Sequence, residues 1–220
     1  MNACCLCSAA VSDRALHAWN RPLFRSASFV ALPSLGSLVE GWLLLVPKHH
    51  FISMGALPVH LADEMQNLRD LVSSQLTSRY GELCAFEHGP SRPARSVGCG
   101  VDHAHLHLVP LNFDLALAAG PFLPADVSWS DADRGDCRAA FERGRDYLYL
   151  EQPLGRGRIA VHDQFGSQVF RKAIAARLGM PEQFSWREYP QAETVARTIH
   201  KFNASPESAP APPNGSEDGA

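Results

Sequence analysis

Apolar and polar positions alternate most sharply between residues 102 and 110, where the chain reads Asp-His-Ala-His-Leu-His-Leu-Val-Pro. Successive side chains of a β-strand point to opposite faces. The segment therefore predicts a strand with Ala104, Leu106 and Leu108 on one face and His103, His105 and His107 on the other. Residues 41–47 form a continuous apolar run bounded by Gly41 and Pro47, the pattern of a buried strand. Residues 24–32, 83–87, 147–150 and 158–161 also read as strands. Helices show a longer period. Leu61, Met65, Leu68, Val72 and Leu76 are spaced by four, three, four and four, which predicts a helix over residues 58–80 ended by Gly81. Val169, Ala173, Ala176 and Leu178 predict a helix ended by Gly179, and Val195, Ile199 and Phe202 another over 191–202. A loop rich in Gly, Pro, Ser and Arg covers 89–101. Residues 1–8 carry a cluster of cysteines, a basic, irregular stretch follows to about residue 22, and residues 204–220 read as a disordered tail.

Composition narrows the class. Hydrophobic residues make up 45% of the 220, enough for a core without disulfide staples. The net charge of −3 gives no global basic field to draw the chain to nucleic acid or a membrane. No apolar run approaches the roughly 20 residues needed to span a bilayer. The N-terminus lacks the basic start and apolar core of a signal peptide, and six cysteines then point to a reducing, cytoplasmic setting with free or metal-bound thiols.

Three readings compete for the histidines. Residues two apart on a strand are separated by roughly 6.6 Å and the outer pair by roughly 13 Å. Two of the rings could share a metal ion, whereas all three would need a strongly bent strand. Alternatively, the strand faces solvent and its polar residues happen to be His. In the third reading a neutral imidazole attacks a phosphoryl centre while a neighbouring His assists the leaving group. Cys4 and Cys7 form a C-x-x-C pair, for which zinc, redox chemistry and chance all stay open.

His-Ala-His-Leu-His-Leu-Val resembles the His-φ-His-φ-His-φ-φ signature of the histidine triad (HIT) superfamily. Residues 29–34 and the segment Gly-Trp-Leu-Leu-Leu-Val-Pro-Lys-His-His at 41–50 resemble its ribose-binding strand and its Pro-Lys-x-His strand. The resemblance covers residues 1–111. It implies a single α+β domain with a HIT-like antiparallel sheet, the central helix packed against it, and an extended C-terminal region over 112–203 packed on the HIT domain.

The resemblance also implies an activity and roles. The protein would be a nucleotide hydrolase that cleaves nucleoside monophosphoryl compounds, phosphoramidates or dinucleoside polyphosphates, through a covalent nucleotidyl-histidine intermediate. Alternatives are a nucleotidylyltransferase or phosphorylase, or a nucleotide-binding protein with little activity. His105 would be the nucleophile, His107 would assist the phosphate and leaving group, and His103 would orient the nucleophile or bind zinc. Gly89, Gly98 and Gly100 would bring backbone amides to the phosphate. Gly100 stands where a Ser is common, His88 where an Asn is usual, and Ser34 where an acidic ribose ligand aligns. Cys4, Cys7, His50 and His103 would hold a structural Zn²⁺, with Cys5 and His49 as substitutes for Cys4 and His50. Cys84 and Cys137 read as buried, inert thiols. Homodimerisation is a further expectation. Arg92 and Arg95 flank the phosphate loop, as solvated charges or as polyphosphate ligands. The C-terminal polar and aromatic patches, with Arg171 in one and Trp186 and Arg187 in the other, read as parts of an ordinary packed extension in preference to a lid.

Overall fold

The computed structural model describes residues 4–11, 17–98, 100–153 and 157–204. The tail expected over 204–220 lies outside them beyond Ala204. The chain opens with helix α1 (Cys5–Val11), then strands β1 (Phe24–Arg25), β2 (Phe29–Pro33) and β3 (Leu43–Pro47). Helix α2 (Ala62–Tyr80), strands β4 (Leu83–Gly89) and β5 (Leu106–Pro110), and helix α3 (Leu115–Ala119) follow. Strand β6 (Ser130–Asp131), helix α4 (Arg134–Glu142), strands β7 (Tyr147–Glu151) and β8 (Gly157–Val161), and helices α5 (Val169–Arg177) and α6 (Ala192–Asn203) complete it.

Among the described residues, the eight strands form one antiparallel sheet in the order β1-β2-β3-β5-β4-β7-β8-β6. The protein is thus α+β, and β6, β7 and β8, from beyond residue 111, continue the same sheet. Strand β5 lies at its centre. His107 pairs with Leu44 of β3 on one side and with Phe86 of β4 on the other.

The alternation in β5 sorts the two faces. Ala104, Leu106 and Leu108 are buried in a core with Phe29, Leu43 and Leu45 of the sheet and Met65, Leu68, Val72 and Leu76 of α2. Burying each large apolar side chain contributes roughly 1.5–3 kcal/mol. A one-residue slip would expose this whole set, so the register of the histidines is fixed from behind. On the other face Trp42, Phe86 and Val109 pack against α3 and α5, and Val30, Leu32 and Val46 pack against Ala9 and Ala10 of α1.

Several boundaries differ from the sequence expectation. Helix α2 starts at Ala62, after a single 3₁₀ turn at Val59–Leu61. The strand expected over 24–32 is two strands. β5 begins only at Leu106, because the backbone bends at His103. Helix α1 spans part of the Cys cluster and the first residues of the stretch expected to be irregular. Among the described residues, no helix is long and apolar enough to cross a membrane.

Candidate active site and metal centre

The bend at His103 gives the three imidazoles different partners. The ring of His103 bonds through Nε2 to the carbonyl oxygen of Pro47, 2.8 Å away. A carbonyl only accepts, so Nε2 carries the proton and Nδ1 keeps its lone pair. That lone pair meets Cys4 Sγ and Cys7 Sγ, each at 3.4 Å. Burial pushes the His103 pKa down to about 4, the bond to Pro47 opposing it.

His105 is oriented from its other nitrogen. Its Nδ1 bonds to the His103 carbonyl oxygen at 2.6 Å, which places the proton on Nδ1 and the lone pair on Nε2. The ring is 9% exposed and lines a cavity of about 230 Å³. Burial holds its pKa below the usual histidine range, against the pull of the His103 carbonyl. The site therefore favours a neutral ring with an available nitrogen.

His107 has the opposite tautomer. The Trp42 indole donates to its Nδ1 over 2.9 Å, and an indole N–H cannot accept. The proton of His107 therefore sits on Nε2. Burial drives its pKa well below the histidine range, and the charges of His105, His88 and Arg171 add to this. Phe86 stacks on the ring at 4.4 Å between centroids, and His105 meets it edge-on at 4.8 Å.

The cavity brings His105 and His107 together with Ser34, Leu32, Leu44, Val101 and Trp19. Ser34 is buried in the β2–β3 turn, and its hydroxyl donates to the Leu35 carbonyl oxygen. Of the glycines, Gly100 adopts a φ of +77° directly before Val101. Gly89 packs against the Tyr147 ring, and the Gly98 carbonyl accepts from Ser167 Oγ. His88 lies behind His107, with ring centroids 6.2 Å apart, and accepts from the Phe170 backbone N–H that opens α5. Gly89, Gly98, Gly100 and His88 are not among the cavity's lining residues. Arg95 ties its loop to Asp146 and the Asp163 carbonyl.

Two lining residues come from the C-terminal region, whose helix α5 also packs into the core of the sheet. Arg171 of α5 is 1% exposed and lies over the Trp42 ring, 4.9 Å from its centroid. It donates to the carbonyl oxygens of Phe184 and Gly36. Trp186 forms the facing part of the wall, packed on the turn at Gly36. The polar-aromatic density around Arg171 and Trp186 was the available sequence signal. Its direction required the tertiary fold.

Next to the cavity, Cys4 Sγ, Cys7 Sγ, His50 Nδ1 and His103 Nδ1 all lie within 4.8 Å of one another. Cys4 immediately precedes α1 and Cys7 is on it, so one turn of helix brings the i, i+3 pair together. Tetrahedral zinc with two thiolates and two imidazoles separates its N and S ligands by about 3.6 Å. The observed N···S distances of 3.3 and 3.4 Å, the soft donor set and the freed Nδ1 of His103 fit such an ion. Cys5 and His49 stand outside the cluster. Cys84 and Cys137 are buried, and burial raises both thiol pKa values, that of Cys84 to about 12.

No protein-family model and no curated protein matches the chain. Among solved structures it is similar to a HIT family hydrolase from Clostridium thermocellum, with 14% identity, 51% of this chain and 93% of that chain covered, and a TM-score of 0.39. It is similar to a hypothetical histidine triad nucleotide-binding protein from Sulfolobus tokodaii, with 17% identity, 64% and 93% covered, and a TM-score of 0.41. It is also similar to a yeast Ap4A phosphorylase solved with AMP, with 13% identity, 63% and 56% covered, and a TM-score of 0.37. The chain resembles the histidine triad proteins in its motif, and the solved structures to which it is similar include members of that family.

Proposed function

We propose that the protein is a nucleotide-processing enzyme that transfers a nucleoside monophosphoryl group through a covalent bond to Nε2 of His105, with water as the final acceptor. The observation that carries this reading is the locked tautomer of His105. Its Nδ1–H is bound to the His103 carbonyl, so the unprotonated nitrogen belongs to the edge available to a ligand in the cavity. A neutral imidazole lone pair is the form that attacks phosphorus. His107 Nε2–H supplies a hydrogen-bond donor beside it. The walls of Trp19, Trp186, Leu32 and Leu44 suit a flat base, and the Ser34 hydroxyl suits a sugar.

Cys4, Cys7, His50 and His103 would hold a structural zinc ion, which ties α1 to the start of the histidine strand and takes no part at phosphorus. By fixing His103, the cluster also fixes the carbonyl that orients His105.

The test is a rapid quench with nucleotides labelled at the α-phosphorus. An acid-labile, base-stable label on wild type and its absence from His105→Ala support the reading. Turnover without any labelled intermediate sinks it.

A further inference from the structure

The backbone at Gly100 has a φ of +77°, and a Cβ built there would lie 2.5 Å from Nη1 of Arg187 and 2.9 Å from Nη2. The Arg187 guanidinium therefore fills the volume that a side chain at position 100 would take. It is clamped there, because Nη2 donates to the Gly100 carbonyl oxygen and the group lies 4.3 Å from the centroid of the Trp186 ring. Gly100 precedes Val101, and both Val101 and Trp186 line the cavity with His105. Arg187 is exposed and lies outside the cavity's lining, next to the lining residues Val101 and Trp186, and keeps N–H donors beyond the one on the Gly100 carbonyl.

The same segment places a second cation. The Phe184 carbonyl holds Arg171, which lines the cavity wall, and Trp186 lies between the two arginines along the chain. Residues 184–187 form a strap that touches the turn at Gly36 and the loop at Gly100 at once.

The leaving group's proton is the remaining constraint. An amine leaving from phosphorus must be protonated, whereas a phosphate departs as an anion and needs charge neutralisation. While Trp42 donates to its Nδ1, His107 cannot be an imidazolium and cannot supply that proton as a cationic acid.

We propose that Arg187, with Arg171 behind it, holds an anionic leaving group, so that the preferred substrates carry a phosphoanhydride bond in place of a phosphoramidate bond. This rests on His105 being the nucleophile. His105 Nε2 forms the N–P bond as the anhydride P–O bond breaks. The electron pair stays on the departing phosphate oxygen, whose negative charge the guanidiniums neutralise. Water then attacks phosphorus, the N–P pair returns to Nε2, and the proton of water passes to solvent.

The experiment uses the full chain and matched probes: ATP, GTP, CTP and UTP, and the 5′-phosphoramidates of the same four nucleosides, all labelled at the α-phosphorus. Wild type is expected to show a higher kcat/KM on at least one triphosphate than on its phosphoramidate. Arg187→Ala is expected to lower that kcat/KM about 10- to 100-fold, to change phosphoramidate turnover less than about threefold, and to leave the melting midpoint unchanged. Arg187→Lys should recover part of the loss. Equal losses on both classes, no loss on either, or a wild-type preference for phosphoramidates overturns the proposal. Failure of the underlying reading is distinct: neither class would then label wild-type His105, and the role of Arg187 would fall with it.

Discussion

The Trp42 indole N–H donates to Nδ1 of His107 across 2.9 Å, and one buried hydrogen bond thereby decides where the third histidine of the strand keeps its proton. Trp42→Phe retains an aromatic ring against Phe86 but removes the only N–H of the side chain. A buried acceptor left without its donor costs about 1–3 kcal/mol. The expected outcome is a loss of that size in chemical denaturation, with a change in the His107 ¹⁵N shifts as the Nε2–H tautomer loses its enforcement. Unchanged His107 shifts in the variant would show that the indole does not set the tautomer.

Zinc is expected at about one ion per chain in purified protein, measured by atomic emission. Cys7→Ser should abolish it, whereas Cys5→Ser should not, since Cys5 stands outside the ligand cluster. A ligand at 100 times its dissociation constant stabilises a fold by about 2.7 kcal/mol. In a chain of this size each kcal/mol moves the midpoint by about 2–4 °C. Chelation should therefore lower the midpoint by about 5–10 °C in wild type and leave Cys7→Ser unmoved.

The longer strands and α2 were legible because their periods, two and near 3.6, are set by the faces they bury, whereas the two-residue β6 is too short for a period. Leu61 to Leu76 and Ala104 to Leu108 now share one core. Helix α1 was not legible. Its seven residues, Cys-Leu-Cys-Ser-Ala-Ala-Val, carry too few turns for a period, and its support is tertiary, from Ala9 and Ala10 on β2 and β3. In the site, Cys4, Cys7, His50 and His103 could be named from spacing and resemblance, and the structure clusters them. Trp42 on His107, Arg171 at Gly36 and Arg187 at Gly100 join residues 65, 135 and 87 positions apart. No local pattern encodes such pairs. His88, expected at the substrate, accepts from the Phe170 backbone N–H in the first turn of α5, a pairing 82 positions apart.

Gly36 should tolerate no side chain. Its φ is +75°, and a Cβ there would lie 2.5 Å from Cβ of Trp186. The left-handed backbone alone costs an L-residue roughly 1–2 kcal/mol, and two fixed atoms at that separation must part. Gly36→Ala should therefore displace the strap from the turn. The measurement is acrylamide quenching of tryptophan fluorescence, expected to rise in Gly36→Ala, with Gly120→Ala as the control because a Cβ there meets nothing within 4 Å. Equal quenching in the two variants would contradict a packed strap.

Away from the histidines, Glu87 on β4 gives the fold a pH dependence of its own. It is 2% exposed and accepts from the Met54 backbone N–H and from the Tyr147 hydroxyl. Burial raises its pKa to about 7, against the opposing pull of those two bonds and of Arg134. An unfolded chain returns the carboxyl to about 4.3. Between these values the folded state binds more protons, so this group's contribution to stability falls as pH rises from about 4 to 7 and is level above. The span corresponds to a change on the order of 4 kcal/mol. His88, with its pKa lowered to about 3 by burial and by the charges of His105, Arg171 and Lys172, slopes the other way below about 6.5, since its unfolded state takes up the proton first. Wild type alone therefore mixes the two. The difference in unfolding free energy between Glu87→Gln and wild type, followed by urea titration from pH 5 to pH 8, isolates the carboxyl. The variant should gain on wild type steadily up to about pH 7 and then run parallel to it. A pH-independent difference would mean that Glu87 is ionised in the fold throughout.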